Sequence, residues 1–255
     1  MHAAQALILA GLALASQASQ AVPLGDDVNL QVKLTAVSDY RSRGISQTLG
    51  DPAAQFELTL IHSSGLYAGV WTSNVDYGAA IDAEGNRQTL KTRQELDSYA
   101  GYYWQINDAI NLDLGFMKYS YAKNSEFNMS EVYAILGAYG AQLGVNYSSD
   151  VDNFFGKNQD TLYTYLGYKA VLPAEVGLEL RYGRNDMKNP AFFAHDGSSR
   201  NAYREWLVRV SRDFVGLTWG LSYIDTDLSE NECISWYGYG DSCSATVVAS
   251  ISKTF

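Results

Sequence analysis

The sequence predicts an all-β protein, an antiparallel transmembrane β-barrel of about 12 strands of the bacterial outer-membrane type. Three observations lead to this prediction. Apolar and polar residues alternate with a period of two from Val28 onward, which is typical of strands with one apolar face. Short turns alternate with long loops along the chain. Glycines and charged residues share the polar face of the strands, as the concave side of a closed barrel requires.

The alternation is clearest in the first predicted strand, whose apolar face carries Val28, Leu30, Val32, Leu34 and Ala36. Further apolar sets follow without a helical interruption, at 56–60, 66–70, 96–104, 110–116, 132–138, 141–147, 162–168, 176–182, 206–210, 215–223 and 245–251. The twelve strands belong to a single domain.

The connections between these strands fall into two classes that alternate along the chain. The short turns are predicted at His62–Gly65, Ile106–Ala109, Tyr139–Gly140, Val171–Glu175 and Arg212–Phe214. The long loops are predicted at 44–52, 77–92, 122–129, 150–158, 186–201 and 226–242. This arrangement places both termini at the end of the barrel that carries the short turns.

The polar face of the strands carries both glycines and tyrosines. The glycines on this face are Gly69, Gly101, Gly115, Gly137, Gly144, Gly167, Gly177, Gly183, Gly216 and Gly220. Glycine permits the bending that a closed barrel needs, and an aromatic ring can cover a glycine on the neighbouring strand. We therefore expect tyrosine rings to lie across glycines inside the barrel.

Charged residues on the same face are the candidate pore lining. The bases are Lys33, Arg41, Arg43, Arg181 and Arg209, and the acids are Asp39, Glu57, Glu95, Asp97, Asp113, Glu131, Glu179 and Glu205. Two interpretations remain open: these charges line a pore that favours cations or tolerates zwitterions, or they neutralise one another across strands. A loop centred near Thr48 or Leu49 predicts Arg41 opposite Glu57, to within one two-residue step. Tyr40 has an even number, like the apolar residues of this strand, and is therefore expected to face lipid.

The two ends of the chain carry export signals. Residues 1–21 contain an apolar run too short to span a bilayer and are predicted to be a signal peptide cleaved after Ala21, with Ala18 as a second choice. A buried helix is the alternative. The mature domain is then 22–255. It ends in an aromatic residue, Phe255, which alternates in step with the apolar face of the last strand. We expect this terminus to be recognised by the barrel-assembly machinery, and the apolar face to contact outer-membrane lipid.

The two cysteines, Cys233 and Cys243, are ten residues apart. In an exported protein this pair predicts one disulfide, and two free buried thiols are the alternative. No metal site or cofactor is predicted, because no ligand set repeats at a recognisable spacing. The net charge of -10 excludes a nucleic-acid-binding surface.

The run "SDYRSRGISQT", followed by "DPAAQ" and by "SSGLYAGVWTSNVD" at Ser63–Asp76, resembles the TorF-type porins, a proteobacterial family of exported proteins whose function is unknown. These motifs cover about the first quarter of the mature chain. The family usually has an aromatic residue where this sequence has Ser42. The resemblance implies an outer-membrane barrel with a transport role, and it does not identify a solute.

Three functions are compatible with this sequence. The leading hypothesis is a narrow porin-like channel for the passive diffusion of small hydrophilic solutes. The first alternative is a plugged structural or adhesive barrel that acts through its outer loops, above all through "CISWYGYGDSC" between the cysteines. The second is an outer-membrane hydrolase that uses His195 beside Asp196 and Ser198, since His62 lies at the turn end. We expect no enzyme activity.

Overall fold

In the computed structural model, residues 21–81, 87–151 and 159–255 are described, without the side chains of 79–81 and 87–88. The predicted signal peptide lies outside these residues except for Ala21, as do parts of the loops at 77–92 and 150–158. Twelve strands of this part of the chain form the barrel: β1 (Val28–Val37), β2 (Ala53–His62), β3 (Leu66–Asn74), β4 (Gln94–Gln105), β5 (Ile110–Tyr121), β6 (Met129–Ala138), β7 (Ala141–Val151), β8 (Gln159–Leu172), β9 (Val176–Met187), β10 (Ala202–Phe214), β11 (Leu217–Thr226) and β12 (Thr246–Thr254).

The barrel is closed, and its strands follow one another in chain order. Each strand pairs antiparallel with its neighbours in the sequence, and β12 pairs back with β1 through Ile251 opposite Ala36. Closure removes both sheet edges, so the strand backbones satisfy one another's hydrogen bonds. The predicted fold class is confirmed. A short segment, Val22–Pro23, adds to the turn end of β1.

Four of the predicted short turns lie where the sequence places them, and the fifth does not. Strand β10 continues through the predicted turn at Arg212–Phe214, and Phe214 pairs with Leu217. The chain reverses instead at Val215 and Gly216, which have φ angles of 54° and 71°. A two-residue hairpin with positive φ at both positions matches the twist of the strands it joins. Gly216 therefore belongs to the turn and not to the polar strand face.

The barrel has the polarity of a protein whose outer face meets an apolar solvent. Large apolar side chains on the outer face are exposed, among them Leu166 at 62%, Leu221 at 53% and Trp104 at 52%. Charged side chains on the inner face are buried. Glu131, for example, is 1% exposed and Glu205 is 0% exposed. Water-soluble proteins rarely expose such a continuous apolar band, whereas barrels that cross a membrane present one to lipid.

Tyrosine rings cover glycines on the inner face, as the sequence predicts. The rings of Tyr99 and Tyr165 lie where the side chains of Gly69 and Gly144 would stand. In each pair the tyrosine is directly opposite the glycine on the neighbouring strand. The rings fill the lumen near the wall and narrow it.

In the described part of the loop-end connections there is one α-helix, α1 (Glu230–Tyr237). Ser229 caps its N-terminus in a capping box with Glu232, and Gly238 ends it with a φ of 76°, a conformation that glycine adopts without strain. Cys233 on α1 forms the predicted disulfide with Cys243. None of the described helices is long and apolar enough to cross a bilayer.

Candidate functional site

The connection between β1 and β2, residues 38–52, folds into the barrel, and we call it the lumen loop. Its buried residues include Asp39, Ile45 and Thr48, which are 6%, 0% and 1% exposed. The loop contacts β6 through Arg43, although β6 is five strands away from β1 round the ring. A contact between such distant strands is possible only across the interior. The stretch predicted to begin an external loop thus crosses the lumen.

The lumen loop is organised as a short β-hairpin. Arg41–Ser42 pairs with Ile45–Ser46, and the turn residues Arg43 and Gly44 have φ angles of 48° and 87°. Gly44 is required for two reasons. Its φ is unfavourable for other residues, and a Cβ at this position would lie within 3 Å of side-chain carbons of Thr226 and Glu205. The tip of the hairpin is therefore pressed against β10 and β11.

Arg43 anchors the tip of the hairpin. Its Nη2 donates to both carboxylate oxygens of Glu131 on β6, at 2.6 and 2.7 Å. Its guanidinium lies over the ring of Tyr163, with 4.5 Å to the centroid, and its carbonyl accepts a hydrogen bond of 3.0 Å from the Tyr203 hydroxyl. Charge-assisted contacts of this kind are strong when water is excluded. They hold the loop across the lumen.

Asp39 holds the two arms of the hairpin together. Its carboxylate accepts from Arg41 Nε at 2.6 Å and from Ser46 Oγ at 2.6 Å. Arg41 also donates to the carbonyl of Ser244, at 2.8 Å, and thereby connects the lumen loop to the segment that follows the disulfide. The two arginines and Asp39 thus serve the position of this loop.

Two predictions about this stretch are wrong. Arg41 does not lie opposite Glu57. Val37 pairs with Ala53, so the connection is centred on Ile45. Lys33 is therefore the residue opposite Glu57. Tyr40 does not face lipid. Its ring packs on that of Trp71 at a centroid distance of 5.2 Å, on the inner side. Strand parity does not apply to Tyr40, since β1 ends at Val37.

Several of the remaining candidate residues have partners on the inner wall. Arg181 Nε donates to Glu205 at 2.8 Å. Asp113 accepts from the Tyr67 hydroxyl at 2.5 Å, and Glu57 accepts from Tyr99 at 3.0 Å. The Arg181–Glu205 ion pair neutralises part of the predicted pore lining, whereas the tyrosine hydroxyls give Asp113 and Glu57 hydrogen bonds without cancelling a charge.

Other inner charges form no ion pair within 4 Å among the described residues. Lys33 and Arg209 belong to this group, and so do the buried acids Glu95 and Asp97. Glu179 stands in register with Arg209 on one side and with Lys169 on the other. None of these residues has an oppositely charged group in direct contact among the described residues.

The sequence interpretation missed two inner residues. Lys169 and Trp71 have the inward parity of their strands, so the alternation that identified the other candidates also indicates these two. The same signal could not have identified Ile45, because its burial depends on the path of the lumen loop.

A cap built from two long loops covers the lumen loop at the loop end. Ile45 packs in one apolar cluster with Phe192, Tyr203 and the disulfide. Trp236 on α1 packs on Phe192 with ring centroids 5.8 Å apart. The aromatic residues between the cysteines therefore contribute to the cap.

The helix of this cap is tied to the neighbouring loop by an ion pair that is sensitive to pH. Burial alone would raise the pKa of Glu232, but hydrogen bonds from Arg200, at 2.6 Å from Nε, and from Ser229 outweigh it and lower the pKa below its usual range. The carboxylate thus stabilises α1 above the usual glutamate pKa of about 4.3, and this stabilisation is lost as the pH falls through the lower folded-state value.

We therefore expect α1 to loosen on acidification below about pH 4. The protection factors of the amides across 230–237, in which the slower intrinsic exchange at low pH is corrected for, should fall there in the wild type. Glu232→Gln, which cannot change its charge, should have lower protection factors at neutral pH and a flatter pH dependence. An equal fall of the protection factors in both proteins would contradict the role of this pair.

The residues considered for hydrolysis do not form a catalytic arrangement. Asp196 Oδ1 accepts from both the backbone and the hydroxyl of Ser198, at 2.9 and 2.6 Å, in an exposed turn. His195 is exposed and forms no hydrogen bond or ion pair with the described residues. His62 contacts Ser64 in a turn at the other end.

The NanC porin is a solved structure similar to this barrel. It shares 12% sequence identity with this chain, and the match covers 88% of this chain and 98% of that one with a TM-score of 0.51. The KdgM porin is similar at 9% identity, 88% and 99% coverage and a TM-score of 0.49. These similarities concern the fold. No curated protein matches the sequence.

The sequence also matches a protein-family model over residues 23–255, which is nearly the whole described chain. The match begins just after the predicted cleavage site and ends at the C-terminal Phe255. It includes every barrel strand, the lumen loop and the cap. The chain therefore belongs to Gcw_chp, a family described as bacterial proteins of unknown function.

Proposed function

We propose that this protein is an outer-membrane porin-like channel that admits small hydrophilic solutes by passive diffusion. The observation that carries the proposal is a closed barrel whose charged interior is narrowed by the lumen loop. A polar interior holds water, and a loop across it limits the size of what passes. The channel is a passive one and not an enzyme.

The location in the outer membrane is supported by the exposed apolar band of the barrel and by the fold it shares with a porin. On this proposal residues 1–21 are removed during export, and 22–255 form the mature domain. Phe255 then serves the barrel-assembly machinery, and the outer face contacts lipid. The resemblance to the TorF-type porins agrees with this role.

The pore lining in this proposal consists of the charged residues identified from the sequence. Those within the barrel strands are Lys33, Glu57, Asp97, Asp113, Glu131, Glu179, Arg181, Glu205 and Arg209. Asp39, Arg41 and Arg43 take part through the lumen loop. The eight acids and five bases of this lining and its neighbours leave an excess of acidic residues, which favours the passage of cations.

No observation favours the adhesive alternative. The rings of Trp236 and Tyr237 are half-buried in the cap, where they contact each other and Trp236 also contacts Phe192. Rigid aromatic side chains bind partners when they stand free on a surface. Here they hold the cap together.

Planar-bilayer recording of the refolded protein tests the proposed channel. We expect discrete conductance steps and, across a salt gradient, a reversal potential that reports weak cation selectivity. Heat-denatured protein in the same detergent serves as the control for detergent artefacts. A protein that migrates as a folded barrel, inserts and never conducts would refute the proposal.

A further inference from the structure

A polar cavity of about 150 Å³ lies in the lumen beside β1, β2, β3, β10 and β12. The side chains that give it chemical character are Lys33, Glu57, Trp71, Arg209, Ser250 and Ser252. One ordered water needs about 10–15 Å³, so this space accommodates a small organic molecule. The cavity does not include the residues that anchor Arg43, and it meets the lumen loop only through Trp71, on which the Tyr40 ring packs.

The cavity carries a net positive charge. Lys33 and Arg209 contribute two positive charges and Glu57 contributes one negative charge. None of the three forms an ion pair within 4 Å with another described residue, although Glu57 accepts a hydrogen bond from Tyr99. The sum of the three charges matches a ligand with a single negative charge.

Two residues that line the cavity each carry a buried hydrogen-bond donor that has no partner in the described part of the chain. Arg209 Nε and Ser250 Oγ are buried atoms without an acceptor among the described residues. They lie close together, because a Cβ built on Gly220 would stand 3.1 Å from Arg209 Nε and 2.6 Å from Ser250 Oγ. A buried donor left without an acceptor destabilises the protein, so these two groups favour a ligand that accepts from both.

We infer that this cavity is a binding site for small organic monocarboxylates, an inference that rests on the proposed channel and names a class of solute held at this one positively charged part of a lumen that is acidic as a whole. The planar guanidinium of Arg209 and the Ser250 hydroxyl suit the two oxygens of a carboxylate. Lys33 adds a second positive charge near the anion. The ring of Trp71 provides an apolar wall for a short aliphatic chain, and Glu57 disfavours a second negative charge.

Binding of propionate to the protein in detergent, without a membrane, tests this inference. Saturation-transfer NMR in a buffer free of other carboxylates should detect the propionate methyl group in contact with the wild type. Arg209→Gln and Ser250→Ala should each weaken the apparent affinity about tenfold or more, as the loss of a charge-assisted hydrogen bond does. Arg212→Gln is the matched control, because Arg212 lies on the same strand with its side chain exposed.

The outcomes separate this inference from the proposed function. Propionate binding that is lost in Arg209→Gln or Ser250→Ala and kept in Arg212→Gln supports the site, whether or not bilayers show conductance. A channel that conducts while the wild type fails to bind propionate overturns the site alone. Malonate binding as tight as propionate binding would refute the single negative charge of the ligand. If Arg209→Gln does not fold, Ser250→Ala decides.

Discussion

Replacement of residues 41–48 by a short glycine-serine turn is expected to raise the conductance of the barrel several-fold. The hairpin formed by Arg41–Ser42 and Ile45–Ser46 crosses the lumen and contacts β6, β10 and β11. Its removal frees the part of the lumen cross-section that the hairpin occupies. The lumen wall itself is built by the strands, so the barrel should still fold. Single-channel recording and the exclusion of neutral polymers of graded size measure the change.

A loop that does not enter the lumen provides the control for this deletion. Ala194 and Ser198 close a hairpin turn around an exposed tip. Replacing 195–197 by two glycines should leave conductance and polymer exclusion unchanged. Equal effects of the two deletions, or no effect of either, would contradict the assignment of the lumen loop as the constriction.

Arg43→Ala is expected to release the lumen loop from the barrel wall. The Arg43–Glu131 pair is nearly excluded from water, with side-chain exposures of 18% and 1%. Removal of one partner from a buried ion pair costs about 3–5 kcal/mol, because the other charge stays buried and unpaired. This corresponds to amide exchange in the loop that is faster by a factor of about one hundred or more.

The same substitution should change the selectivity of the channel. Without Arg43, the Glu131 carboxylate contributes its full negative charge to the lumen, and the reversal potential across a salt gradient should move toward cations. Arg43→Ala combined with Glu131→Ala should bring selectivity back toward the wild type while the loop stays mobile. Lys118→Ala is the control, since Lys118 is exposed on β5. Unchanged loop exchange in Arg43→Ala would show that other contacts hold the loop.

Most of the barrel could be predicted from the sequence, for a physical reason. A membrane barrel has one solvent on each face of every strand, so each residue's polarity reports the side it faces. The parity of Lys33, Glu131 and Arg181 places them on the inner face without any knowledge of the strand register. Glycine and tyrosine follow the same rule, and Tyr99 covers Gly69 as expected.

Positions outside the strands could not be predicted in this way. The parity of β1 ends with Val37, and beyond it the direction of each side chain depends on where the loop finds partners. Arg43 donates to Glu131 although 88 residues separate them in the sequence. No local sequence pattern indicates a contact between residues so far apart in the chain. The predicted pairing of Arg41 with Glu57 is wrong for the same reason, because the length of a loop does not determine where the chain turns.

The sequence by itself determined the number of barrel strands, the inner and outer faces, the position of most turns and the pairing of Cys233 with Cys243. Local periodicity and the compartment implied by export are sufficient for each of these. Only the tertiary structure decided that the first long loop enters the lumen, that the disulfide helix caps it, and that Arg209 and Ser250 share one cavity. These features depend on contacts between distant strands, which exist only once the barrel has closed.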